Sequence, residues 1–193
     1  GRWVVAEACR RAAAWRGSST GMPVAVNVSG AQLAQPGLVE EVGAVLRETG
    51  LPPESLTLEI TESVVMQDTE ATLERLQTLK RAGVRLAVDD FGTGYSSLRY
   101  LRRFPIDTLK IDKVFVEDLG KSGEEPALAQ AILELGRNFG MQVVAEGVET
   151  ADQVERLLAL GCAYGQGFHF AGPTDPERLP ALLTGLPRQS LGA

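Results

Sequence analysis

The chain has 193 residues, 44% of them hydrophobic, with a single histidine and a formal net charge of −6 from 19 basic and 25 acidic side chains. That length and apolar fraction suit one domain with one core, and the negative balance argues against nonspecific binding to a nucleic-acid backbone, so DNA is not an expected partner. One histidine excludes a His-rich zinc site, Cys9 and Cys162 read as packing residues, and no apolar run reaches membrane-spanning length, so no membrane contact is expected from this segment and a cytoplasmic location is the default.

Residues 1–16 have helical spacing through Val4, Ala8, Ala12 and Trp15. No Ser, Thr or Asp cap precedes them, so the chain is expected to begin inside a larger fold. A first strand-like run, Val24 to Val28, surrounds Asn27. Residues 38–50 then set Leu38, Val42, Val45 and Leu46 on one helical face, and the run Leu56 to Ile60 surrounds Glu59. A helix over 68–82 carries Leu73, Leu76 and Leu79; the run Val84 to Val88 ends at Asp89, and Ile106 to Ile111 contains Lys110. A helix over 125–139 buries Leu128, Ile132 and Leu135, and Val143 to Ala145 stops at Glu146. A helix at 150–160, a strand-like stretch near 162–170 and an amphipathic segment at 176–183 close the pattern, with a frayed tail over 185–193.

About six strand–helix units call for a parallel sheet buried on both sides. Periodicity alone leaves a doubly wound sheet and a barrel open. Polar residues at strand ends all along the chain favour the barrel, because an open sheet gathers its site mainly at one switch point.

The sharpest local signal is Val88-Asp89-Asp90-Phe91 running into Gly92-Thr93-Gly94. Two adjacent carboxylates repel, and a bound cation or a basic partner keeps both ionised. An oxygen-rich set of this kind suits hard cations such as Mg²⁺ or Mn²⁺. The bland rivals are a strand-end turn former for Asn27, a surface ion pair for Lys110 with Asp112, and dipole-compensating acids at a helix start for Glu146 and Glu149.

In order, the motifs are VNVSG at 26–30, LEITES at 58–63, VDDFGTGYSSL at 88–98, LKID at 109–112, VVAEGVET at 143–150 and GQGFHFAGP at 165–173. Together they resemble the EAL domain family of cyclic di-GMP phosphodiesterases, from the first helix to about Pro173. The resemblance implies an α/β fold, a TIM-like (β/α) barrel whose first strand runs antiparallel to the rest, and hydrolysis of cyclic di-GMP to linear pGpG with two Mg²⁺ or Mn²⁺ ions. It also implies that Asn27, Glu59 and Asp89 ligate one ion and Asp90 serves the second. Lys110 contacts the attacking water or the phosphate, and Glu146 is the general base or second-metal partner. Gln166 belongs to the metal or water shell, Glu62, Glu149 and Asp112 support it, and Glu62 anchors the loop of Phe91, Gly92, Thr93 and Gly94.

One departure matters. The Glu-Ala-Leu strand that names the family is absent, and Glu7 lies inside a helical pattern, so residues 1–193 are expected to be an EAL-type domain short of its first strands, with about six of eight. Such a piece is expected to turn over little substrate on its own, whereas a parent protein with upstream sensory or diguanylate cyclase domains is expected to be active. Arg99, Arg102 and Arg103 on the helix after the loop read as a solvated face, while the resemblance implies that this region can serve a homodimer contact. The competing reading is a catalytically silent cyclic di-GMP-binding or protein-interaction module, which would be expected to have lost Glu59, Asp89 or Glu146.

Overall fold

The computed structural model describes residues 2–15, 22–67, 69–93, 98–117, 119, 127–179, 181 and 182. The chain runs α1 (Arg2–Trp15), β1 (Val24–Asn27), α2 (Gly30–Ala34), α3 (Leu38–Thr49), β2 (Leu56–Thr61), α4 (Glu62–Met66), α5 (Glu70–Arg81) and β3 (Arg85–Phe91). It continues through α6 (Leu98–Arg103), β4 (Thr108–Ile111), α7 (Lys113–Glu117), α8 (Ala127–Phe139), β5 (Gln142–Ala145), α9 (Ala151–Ala159) and β6 (Tyr164–Gly165).

These strands form one sheet in which every neighbouring pair is parallel and the spatial order is the chain order. That order separates the two architectures that periodicity left open. A doubly wound sheet reverses at a switch point; a sheet that always adds its next strand on the same side keeps its helices on one face and curls into a barrel wall. Six strands make an α/β half-barrel, the expected TIM-like barrel in incomplete form.

Register assigns the two faces. Val26, Leu58, Leu86, Ile60, Val88 and Leu109 align from strand to strand and are buried under the helices. Their sequence neighbours Asn27, Glu59, Ala87 and Thr108 align on the opposite, inner face. The strict alternation of side chains along a strand therefore puts the apolar set against the helices and the polar set inside the curl.

Several elements differ from their expected form. Strand β3 continues past Val88 to Phe91, because Phe91 pairs with Ile111 after an irregularity. Strand β4 starts at Thr108 instead of Ile106, since the Ile106 N–H turns back to the Phe104 carbonyl. Strand β6 is reduced to Tyr164–Gly165: the Cys162 N–H goes to Leu157 O, and Phe170 N–H to Gly167 O in a turn. In α8 the buried stripe is Ala129, Ile132, Leu133 and Gly136, with Leu128 exposed. The helix lies so close to β5 that a Cβ on Gly136 would sit 2.2 Å from Val143 Cγ2, so the contact as it stands has room only for glycine. Helix α1 shows the same one-position rotation, burying Val5, Cys9 and Ala12 while Val4 is exposed. Residues 176–178 form a turn before helical Leu179, and 183 and the tail 185–193 lie outside the described residues. Both cysteines are free and buried.

Candidate active site

The inner-face polar residues converge where the strands end. Glu59 comes from β2, Asp89 and Asp90 from β3, Lys110 from β4, and Glu146 directly follows β5, its N–H held by Ile111 O at 3.0 Å. Parallel strands leave their C-terminal ends on one rim, so residues up to 87 positions apart meet there.

The adjacent aspartates need a special device. In a regular strand Asp89 and Asp90 would face opposite sides. Here Val88 pairs with Leu109 and Phe91 with Ile111, so both aspartates oppose the single residue Lys110 in a β-bulge. Asp90 takes φ 54, the one positive φ among described non-glycine residues, in a left-handed region that Asp tolerates better than most. The bulge re-aims the pair: carboxylate oxygens of Asp89, Asp90 and Glu146 all lie within 4.8 Å of one another.

At the centre stands Lys110, only 5% exposed. Its Nζ is 2.9 Å from Glu59 Oε2, 2.9 Å from Asp89 Oδ1 and 2.6 Å from Glu146 Oε1. The surface pair with Asp112 is thus not formed. Burial pulls the ammonium's pKa down, but the close carboxylates of Glu146, Glu59 and Asp89 outweigh it, and the net shift is upward, so the charge is held. Glu146 is nonetheless pushed above its ordinary value: desolvation and repulsion from Asp89 outweigh its contact with Lys110. Asp90 is raised by desolvation, then by the charge of Asp89 and a hydrogen bond with Asp112. The rim therefore holds more negative charge than one ammonium neutralises. Asp89 Oδ1, although near that ammonium, is buried and makes no aligned hydrogen bond. An all-oxygen cage with surplus charge and an orphaned buried acceptor fits a hard divalent cation.

Other expected residues fall around this centre at various distances. Buried Glu62 accepts from the Gly92 N–H at 2.9 Å, joining α4 to the end of β3. Gly92 has φ 101, and a Cβ there would stand 2.9 Å from Phe115, so both conformation and space demand glycine. Phe91 is buried, and Thr93 donates its hydroxyl to the Asp90 carbonyl at 2.9 Å. Gly94 lies outside the described residues. Asp112 accepts from the Val114 N–H at 2.8 Å at the start of α7. Asn27 is exposed on β1 in register with Glu59. Gln166 binds through its backbone, its N–H donating to Ala145 O and its carbonyl accepting from Val148 N–H. Glu149 is exposed; its N–H donates to Gln153 Oε1 at 2.7 Å, and its carboxylate is outside the Asp89–Asp90–Glu146 cluster.

Two residues escaped the sequence reading. Gln153, buried, accepts from the N–H groups of Glu149 and Thr150 and donates to Val116 O at 3.3 Å, tying the segment after Glu146 to α7. The Thr150-x-x-Gln153 capping box was its available signal. Asp107 accepts from Leu86 N–H and pairs with Lys80 at the other end of the sheet, a contact 27 residues long that no local pattern announces.

Comparison with known proteins gives a consistent result. The EAL domain family model matches residues 1–173. The bifunctional diguanylate cyclase/cyclic di-GMP phosphodiesterase MucR of Pseudomonas aeruginosa is 45% identical over 182 residues, 94% of this chain and 27% of its own length. The signaling protein YkoW of Bacillus subtilis is 38% identical over 189 residues, 98% of this chain and 24% of the relative. The chain thus spans only a minor part of these curated relatives. Among solved structures, the MucR phosphodiesterase in complex with c-di-GMP superposes with TM-score 0.88 at 45% identity, over 93% of this chain and 73% of the other. The EAL domain of Mycobacterium smegmatis DcpA gives TM-score 0.89 at 45% identity, over 95% and 83%.

Proposed function

The chain belongs to the EAL domain family, and from that premise we propose that it is the divalent-metal-dependent part of a phosphodiesterase that hydrolyses cyclic di-GMP to linear pGpG in bacterial signalling. One observation carries the reading: three carboxylates from separate parts of the sheet, Glu59, Asp89 and Glu146, surround a buried ammonium at the strand ends, with Asp90 clustered beside two of them. Relatives in the family support the substrate, since MucR is a cyclic di-GMP phosphodiesterase by name and its solved domain holds c-di-GMP. A cytoplasmic location goes with this reading, and no described helix is long and apolar enough to cross a membrane.

Asn27, Glu59, Asp89 and Asp90 are the proposed holders of Mg²⁺ or Mn²⁺. Bound there, the ions supply concentrated positive charge beside a phosphodiester and acidify water. Glu146, its proton affinity raised by burial, is suited to take the proton of the attacking water. Lys110 keeps its proton and offers a compact charge where negative charge grows on the phosphate oxygens. Glu62 fixes the backbone just after the bulge, Asp112 fixes the start of α7, and the cap made by Gln153 steadies the segment after Glu146.

The test is to incubate the whole protein that carries this chain with cyclic di-GMP and Mg²⁺ or Mn²⁺ and to separate the nucleotides by chromatography. Appearance of pGpG that stops on chelation is the expected result. Tight binding without product would instead assign the silent receptor, and cleavage of other phosphate esters alone would sink the substrate assignment.

A further inference from the structure

Lys110 does something that a lysine reserved for substrate would not do. Its ammonium has three protons and faces three carboxylates, Glu59, Asp89 and Glu146, at 2.9, 2.9 and 2.6 Å, inside a site where it is almost fully buried. An incoming cation that chelates any two of these carboxylates must take oxygen atoms now turned toward Nζ. Two cations crowded on the same few oxygens repel strongly at low dielectric. The grip is also uneven: Glu59 accepts a formed hydrogen bond at 2.9 Å, while Asp89 Oδ1 is close but unaligned. Asp89 Oδ1 is therefore easier to surrender than Glu59 Oε2, and Asp89 sits in the cluster with Asp90 and Glu146.

We propose that Lys110 is an internal counter-cation that competes with the divalent ion for Glu59, Asp89 and Glu146, so that metal entry displaces the ammonium and frees it for an anionic ligand. The inference rests on the metal-binding reading above and adds a coupling to it. Without metal, the ammonium keeps the three carboxylates from repelling one another. With metal, that work passes to the ion and Lys110 becomes available at the rim. Loading of the ion and delivery of the lysine are then one event, and an anion that engages Lys110 favours metal binding in return.

The test measures binding rather than turnover. Mn²⁺ titrated calorimetrically into the whole protein that carries this chain is compared with the same titration of Lys110→Met, which keeps length but removes the charge. The expected result is Mn²⁺ binding about tenfold tighter in the variant, whose melting temperature is lower than wild type without metal and recovers with it. Equal or weaker Mn²⁺ binding in a folded Lys110→Met would overturn the competition while leaving the metal site standing. If neither protein binds Mn²⁺ even at millimolar concentration, the metal reading falls and the competition with it. A second measurement needs no variant: in wild-type protein with isotope-labelled lysine, diamagnetic Mg²⁺ should shift the Lys110 Nζ resonance, and an unmoved resonance at saturating Mg²⁺ would refute the displacement.

Discussion

Two lysines meet carboxylates at opposite ends of this sheet, and they do so under different charge balances. Lys80, at the end of α5, pairs with Asp107 just before β4, and the second oxygen of Asp107 accepts the Leu86 N–H at 2.9 Å. Both oxygens are used, one charge meets one charge, and neither partner's side chain is fully buried. Lys110 at the strand C-termini instead faces three carboxylates with a fourth nearby, at a position where burial raises the cost of every unbalanced charge. The first arrangement is complete as it stands and ties a helix to two strands. The second is short of positive charge, and that deficit is what a structural contact avoids and a metal site requires.

The most direct way to sharpen the contrast is to remove one carboxylate from each end. In the whole protein that carries this chain, Glu146→Gln should lower cyclic di-GMP hydrolysis by about 10²–10⁴-fold, the usual worth of a positioned proton acceptor, as read by pGpG formation, with folding intact. Asp107→Asn should leave the rate within a few-fold. It should instead lower stability by up to about 1 kcal/mol in urea unfolding, because the partly exposed Lys80 ammonium loses its charged partner. If Asp107→Asn abolished the proposed hydrolysis as thoroughly as Glu146→Gln, the division into a structural and a chemical end would be wrong.

A middle-sized effect comes from pH. Asp90 and Glu146 hold protons more tightly in the folded chain than their ordinary 3.8 and 4.5, so the folded state binds more protons than the unfolded one as pH rises through that range. Metal-free stability should therefore fall as pH climbs from about 4 toward the folded-state values. The groups responsible face one another: Asp89, Asp112 and Lys110 around Asp90, and Lys110 and Asp89 around Glu146. Lys110 works in the opposite range, since its raised pKa gives stability that is present below 10.5 and lost only at higher pH. Urea midpoints between about pH 4 and pH 8, with and without Mg²⁺, check the sign: the decline should be visible without metal and flattened with it.

How much of this was legible from residues alone follows from which forces act locally. The alternation of apolar strands and amphipathic helices gave the parallel sheet, and strand-end polarity favoured the barrel and pointed to its rim before any coordinates. Helix faces were harder. Leu128 looks like a core residue in the sequence, but the close approach at Gly136 turns α8 so that Ala129 and Leu133 face inward. The Asp89-Asp90 pair was recognisable, whereas the bulge that turns both toward one point was not. It depends on Phe91 pairing with Ile111 across the sheet, which no local pattern encodes. The central place of Lys110 was hidden for the same reason, because its partners Glu59 and Glu146 lie 51 and 36 positions away and only the register of the strands brings them within 3 Å.

The smallest expected effect tests the contrast from outside. Arg103 on α6 pairs with Glu70 at the start of α5, and the Glu70 side chain is 82% exposed. Solvent screens such a pair and its long side chains lose freedom in forming it, so Glu70→Gln should change stability by less than about 0.5 kcal/mol and leave Mn²⁺ binding untouched. What separates this contact from Lys110 is surroundings, since both are Coulomb pairs at hydrogen-bonding range. If the exposed pair proved worth as much as the Lys80–Asp107 contact, burial would not be the factor that ranks the three. The charge deficit at the rim would then have to be explained by the number of carboxylates alone.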